Sequence, residues 1–165
     1  MPANTVQEQL VKYLTDVHGQ EESAIAQLKT GVAEAGDPQL AEVFRSHLTE
    51  TEEQERLIRE RLEAHDASPS SVKDVAFKAG AAMTGTLAKS APDTTGKLAI
   101  QAYAFEHLEI ASYRMLTVVA ERAGDHETVQ LAQRILTQER AAAQKIDGLL
   151  ETIAAGDLER MDVAA

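Results

Sequence analysis

In Phe105-Glu106-His107-Leu108-Glu109-Ile110-Ala111-Ser112-Tyr113, two glutamates and a tyrosine recur at spacings of three and four residues. Side chains at that spacing share one face of a helix. Ala102, Leu116 and Ala120 extend the same face in both directions, giving the stripe that a helix buries in a bundle. Glu106 and Glu109 thus place carboxylates in the middle of a face that ought to be apolar. Tyr103 and Tyr113 flank the pair by about a turn and read as core rings or as hydrogen-bond donors to it.

Punctuation bounds this helix and finds its neighbours. Pro92-Asp93 opens it, and Gly124 closes it with a residue suited to the left-handed turn after a helix. Asp125 begins a further long helix, expected to end near Gly156 and to leave 157–165 as a loosely held tail. Upstream, Thr5-Val6-Gln7-Glu8 reads as a capping box and Gly36 as a helix stop. Asp37-Pro38 supplies an N-cap and a first-turn proline for a second helix running to about Ala64. Ser71-Val72-Lys73-Asp74 opens a shorter helix, weakened by Gly80 and Gly85, that fades near Lys89. No alternating β-branched pattern is present. Residues 1–165 therefore read as one all-α domain of four long helices, with a short helix in the crossover between the second and third. That crossover can run back along the bundle, which makes the second and third long helices parallel.

The other three seams repeat the anomaly. The first helix gives Leu10, Leu14, Val17, Glu21, Ala24 and Leu28. The second gives Leu40, Val43, His47, Glu50, Gln54 and Leu57, and the fourth gives Val129, Ala132, Leu136, Glu139, Ala143 and Ile146. Glu21 and Glu50 lie about equally far from the turn at Gly36, and Glu109 and Glu139 about equally far from the turn at Gly124. At about 1.5 Å per residue each pair comes to one depth. Unpaired buried carboxylates cost several kcal/mol each, so such a cluster needs protons or cations. Two divalent cations held by glutamates from four helices are one solution that bundles use.

Charge and composition narrow the partners. Sixteen Lys+Arg against 27 Asp+Glu give a net charge of −11, which argues against nucleic acid or an anionic membrane. The absence of cysteine excludes disulfides, thiolate metal sites and iron–sulfur clusters. Met1-Pro2-Ala3-Asn4 has neither the basic nor the apolar part of a secretion signal. No apolar run approaches the roughly 20 residues of a membrane span, so a cytoplasmic location is expected. There is no Gly-x-Ser-x-Gly elbow and no phosphate-cradling glycine loop.

Four stretches carry a family resemblance: His18 to Glu21, His47-Leu48-Thr49-Glu50-Thr51, Phe105 to Ala111, and Ile135-Leu136-Thr137-Gln138-Glu139. Together they resemble the ferritin-like di-metal carboxylate proteins, and more narrowly the bacterial YciE/YciF-type stress proteins. The resemblance implies a ferritin-like, left-handed four-helix bundle. It implies two Fe or Mn ions held by Glu21, Glu50, Glu106, Glu109 and Glu139, a layout similar to the rubrerythrin branch. Ferritin-like proteins carry Glu-x-x-His on the second helix, where this chain has Glu53, so Glu53 joins the candidate ligands. The fourth helix has Ala142 and Ala143 where a second histidine is usual. A centre of five or six carboxylates suits hard cations. The resemblance also implies a stress-related role and a homodimer, and a metal pair in such a cage is expected to react with peroxide or O₂. A non-catalytic metal-binding or oligomeric interaction protein is the alternative. His18 and His47, each three residues before a candidate ligand, read as hydrogen-bonded core histidines or as groups that orient a carboxylate.

Overall fold

Short polar side chains and one glycine set the helix ends. Asp37 accepts hydrogen bonds from the Gln39 and Leu40 amides, both at 2.9 Å. Pro38 follows at the first helical position, where a missing N–H costs nothing. Asp125 accepts from the Thr128 amide at 3.0 Å, and Gly124 before it takes the left-handed backbone, φ 75°, that ends the preceding helix. The computed structural model describes residues 3–67 and 93–163. Within them run α1 (Ala3–Glu34), α2 (Pro38–Ala64), α3 (Thr95–Ala123), α4 (His126–Asp147) and α5 (Leu150–Val163). No strand occurs among the described residues. The short helix expected between Ser71 and Lys89 lies outside them.

Two apolar clusters fix the direction of every long helix. Leu10 and Leu14 of α1 meet Ile58 and Leu62 of α2, Leu116 and Ala120 of α3, and Ala132 and Ile135 of α4. At the other end Leu28 meets Leu40 and Phe44, Ala99 and Ile146. α2 and α3 therefore run parallel, and α1 and α4 run against them, as the long crossover requires. Gly31 permits the close approach of α1 and α2 at this second end. A Cβ placed there would meet the Phe44 ring at 2.8 Å. Between the two clusters lies a band of buried polar side chains.

The end of the chain differs from the sequence expectation. The fourth helix breaks at Gly148, whose amide bonds back to Gln144 at 3.1 Å, and α5 continues to Val163. Residues 157–163 are thus helical rather than a loose tail. Asp157 accepts a 2.7 Å hydrogen bond from the Gly96 amide, filling one of the free N–H groups in the first turn of α3.

Asp125 ties α4 to the end of α2. Arg61 Nη2 donates to both of its oxygens at 2.8 Å, and His65 Nε2 lies 2.8 Å from Oδ2. Burial acts to raise the Asp125 pKa, but the Thr128 hydroxyl and amide and the Arg61 guanidinium outweigh it and hold the carboxyl well below its ordinary range. Asp125→Ala removes the N-cap and a partly screened ion pair, so it should cost about 1–2 kcal/mol at neutral pH. A depressed carboxyl contributes stability above its unfolded pKa and loses it as pH falls towards the folded value. The gap between the two proteins in urea melts should narrow once pH drops below about 4. A gap that does not change with pH would contradict this assignment.

Candidate metal centre

Each of α1 to α4 brings at least one polar side chain into the band between the clusters. α3 contributes Glu106 and Glu109, which are 3% and 1% exposed. Their three-residue spacing puts both on the inner face, as the sequence predicts. α4 contributes Glu139 at 1% and α1 contributes Glu21 at 0%. α2 supplies His47, buried on the same level. His47, Glu106, Glu109 and Glu139 each offer a ligand atom, and these atoms all lie within 4.8 Å of one another. Glu21 stands beside this group and accepts a hydrogen bond from the Tyr113 hydroxyl.

The electrostatics are those of an overloaded site. Burial raises the pKa of Glu109, and the charges of Glu21, Glu139 and Glu106 raise it further. Burial and the Glu139 charge likewise raise Glu21, against the lowering effect of the Tyr113 hydroxyl. Burial lifts Glu106 to about 7, although His47 pulls it down. For His47 burial alone would favour the neutral ring, but Glu106 and Glu139 override it and the pKa is pushed up to about 12. His47 Nε2 lies 3.1 Å from Glu106 Oε2 and 3.3 Å from Glu139 Oε2. Both are ion pairs, but neither is aligned as a hydrogen bond, so none of the three atoms has a hydrogen-bond partner.

The unpaired atoms show what the group is suited to. Glu21 Oε2, Glu106 Oε2, Glu109 Oε1 and Glu139 Oε2 are buried without a hydrogen-bond partner. Native interiors rarely leave such acceptors orphaned; three of the four residues belong to the group that converges within 4.8 Å, and Glu21 stands beside it. Four carboxylates and one imidazole fit Fe or Mn, which accept hard oxygen ligands and nitrogen together. Gln54 completes the surroundings. Its Nε2 donates to Glu139 Oε1 at 2.6 Å and so fixes which oxygen of Glu139 faces inward.

α2 departs from the sequence reading. Its buried residues are Leu40, Phe44, His47, Thr51, Gln54, Ile58 and Leu62, whereas the expected seam ran through Val43, Glu50 and Leu57. Leu40, His47 and Gln54 are common to both, and the other row moves by one residue to Phe44, Thr51 and Ile58, so the buried face is turned by about 50°, half the angle between successive residues. Glu50 is left at the flank, 34% exposed, 3.3 Å from His47 Nδ1, and reaches the group only through that ring. Glu53 is turned to solvent and paired with Arg56 at 2.6 Å, so it is not brought into the centre. The imidazole missing from the Glu-x-x-His position comes instead from His47, one turn before Glu50. The apolar stripe Phe44, Thr51 and Ile58, free of charge, was the signal that could have set this rotation. His18 is buried but bonds Glu55 at 2.8 Å, outside the group.

Comparison with known proteins agrees with this architecture. Residues 5–159 match the model of a family described as a domain of unknown function, DUF892. Protein YciF of Escherichia coli (strain K12) is 28% identical over 158 residues, covering 90% of this chain and 92% of YciF. Its crystal structure, described as that of the E. coli stress protein YciF, superposes with a TM-score of 0.71 at 21% identity, over 91% of this chain and 97% of that one. A protein of Xanthomonas campestris pv. campestris is 30% identical with a TM-score of 0.80, covering 96% of this chain and 99% of its own. Ferritin-like, diiron-carboxylate proteins of Bacillus anthracis str. Ames share the fold, with a TM-score of 0.72 at 15% identity, over 88% and 97% of the two chains.

Proposed function

The chain belongs to the DUF892 family, and from that membership and the buried donor set we propose that it is a ferritin-like di-metal protein reacting with hydrogen peroxide or O₂. One observation carries the proposal: His47, Glu106, Glu109 and Glu139 converge within 4.8 Å while four buried carboxylate oxygens lack a hydrogen-bond partner. Glu21, His47, Glu106, Glu109 and Glu139 would hold two Fe or Mn ions. Bound Fe or Mn would supply the redox change as peroxide or O₂ is reduced.

The chain's own residues set the conditions. Tyr113 holds Glu21 in place through its hydroxyl, and Gln54 does the same for Glu139. Glu50 bonds the outer nitrogen of His47, which leaves Nε2 as the inward-facing donor. Loading must release protons from the raised carboxyls and from His47, so affinity should fall with pH. The apolar clusters on either side keep bulk water away from the band. A stress-related role is supported by likeness to YciF, described as a stress protein. A cytoplasmic setting belongs to the same proposal, as does a homodimer, which rests on the resemblance.

Metal analysis of protein purified without added metal, then anaerobic Fe(II) loading and a peroxide pulse, tests the reading. About two ions per chain with peroxide consumption is expected. Two ions without turnover would reduce the protein to a metal carrier, and no bound metal would overturn the proposal.

A further inference from the structure

Beside the centre the bundle is incompletely filled. A pocket of about 280 Å³ lies between α1, α2 and α3, walled by Leu28, Gly31, Phe44, Leu98, Ala102 and Phe105. Interiors are normally packed without such gaps. Here Ala24 and Ala102 stand where longer side chains would narrow the space. The outer rim carries Gln27, Thr30 and Glu34, all exposed. The inner end is Glu106, one of the four converging donors. The pocket thus runs from solvent to a ligand of the centre.

The chemistry of the walls selects the occupant. Among the described lining residues there is no Lys, Arg or His, so an anion would give up its hydration without a counter-charge. A hydrated cation would meet Glu34 at the rim and Glu106 at the inner end, but between them it would exchange its water for aliphatic and aromatic walls. The space far exceeds what peroxide or O₂ needs, since an apolar cavity of roughly 150 Å³ already holds benzene. We propose that this pocket admits a small, uncharged, mainly apolar organic molecule and presents it to the Glu106 side of the centre. The inference deepens the di-metal reading and rests on it.

The test uses 4-fluorotoluene as a neutral apolar probe, followed by ¹⁹F NMR on the full chain. The metal-free protein should broaden the probe resonance saturably. Mn(II) loading should broaden it much further, because paramagnetic relaxation falls steeply with distance. Ala102→Phe, which projects a ring into the pocket from a half-buried position, should weaken probe binding by about tenfold or more and leave the Mn(II) titration unchanged. The paramagnetic effect is measured on the unmutated protein, so the test survives even if Ala102→Phe fails to fold. No saturable broadening, or broadening with no added effect of bound Mn(II), would overturn the pocket while leaving the metal centre standing. Probe binding blocked by Ala102→Phe in a protein that takes up no Mn(II) would instead overturn the centre, and the delivery role with it.

Discussion

Glu109→Leu should make the metal-free protein more stable by about 1–3 kcal/mol and strip it of its response to metal. Glu109 is 1% exposed, its Oε1 has no hydrogen-bond partner, and burial together with Glu21, Glu139 and Glu106 disfavours its charged form. Leucine removes an uncompensated polar group and fills a similar volume. Glu139 is a poorer site for this experiment, although it is the lone polar residue of the α4 seam. Replacing it would strand the Gln54 amide that donates to it at 2.6 Å. In the unmutated protein, Mn(II) at a hundredfold excess over its Kd should add about 2.7 kcal/mol. Should the loss of Glu109 weaken binding a hundredfold, that gain shrinks to about 0.4 kcal/mol. Thermal melts with chelator and with Mn(II) measure both effects. A destabilised metal-free variant that still responds fully to Mn(II) would remove Glu109 from the centre.

The sequence was legible wherever a single helical face admitted one reading. α3 offers one: Glu106, Glu109, Tyr113, Leu116 and Ala120 are all buried, as their spacing requires. In α1 the seam from Leu10 through Glu21 to Leu28 is buried throughout. Counting residues outward from the turns at Gly36 and Gly124 was enough to bring Glu21, Glu106, Glu109 and Glu139 to one depth. α2 admitted two readings, because Val43/Glu50/Leu57 and Phe44/Thr51/Ile58 are adjacent rows that are both largely apolar. The bulk of Phe44 and Ile58 and the absence of charge at Thr51 won, and Glu50 moved to the flank. Gln54 was on the predicted seam, but its partner Glu139 comes from α4, and no spacing within one helix can show a contact between two. The break at Gly148 was illegible for a similar reason. The helical pattern runs on across it, and what holds α5 is a contact from Asp157 to the distant Gly96 amide.

The opposite sign is expected at the one basic residue of the cluster. His47→Leu should destabilise the metal-free protein by about 2–4 kcal/mol, near the lower end of what removing one partner from a buried charged group costs. His47 Nε2 sits 3.1 Å from Glu106 and 3.3 Å from Glu139, and it is 3% exposed. Its positive charge is the only one brought into contact with these acids among the described ion pairs, since Arg56, Arg59 and Arg61 pair with carboxylates elsewhere. Without it Glu106 and Glu139 face each other uncompensated, and the escape is for Glu106, already raised by burial, to take up a proton, which limits the loss. Divalent metal offers another escape, because it restores positive charge to the same space. Mn(II) should therefore recover more stability in His47→Leu than any proton can. A higher concentration should be needed, since an imidazole donor is gone while four carboxylates remain. Urea melts of the variant with chelator and across a Mn(II) series follow both effects. A chelated variant as stable as the unmutated protein would mean that His47 is not what holds these carboxylates together, and the charge balance drawn for the centre would fall.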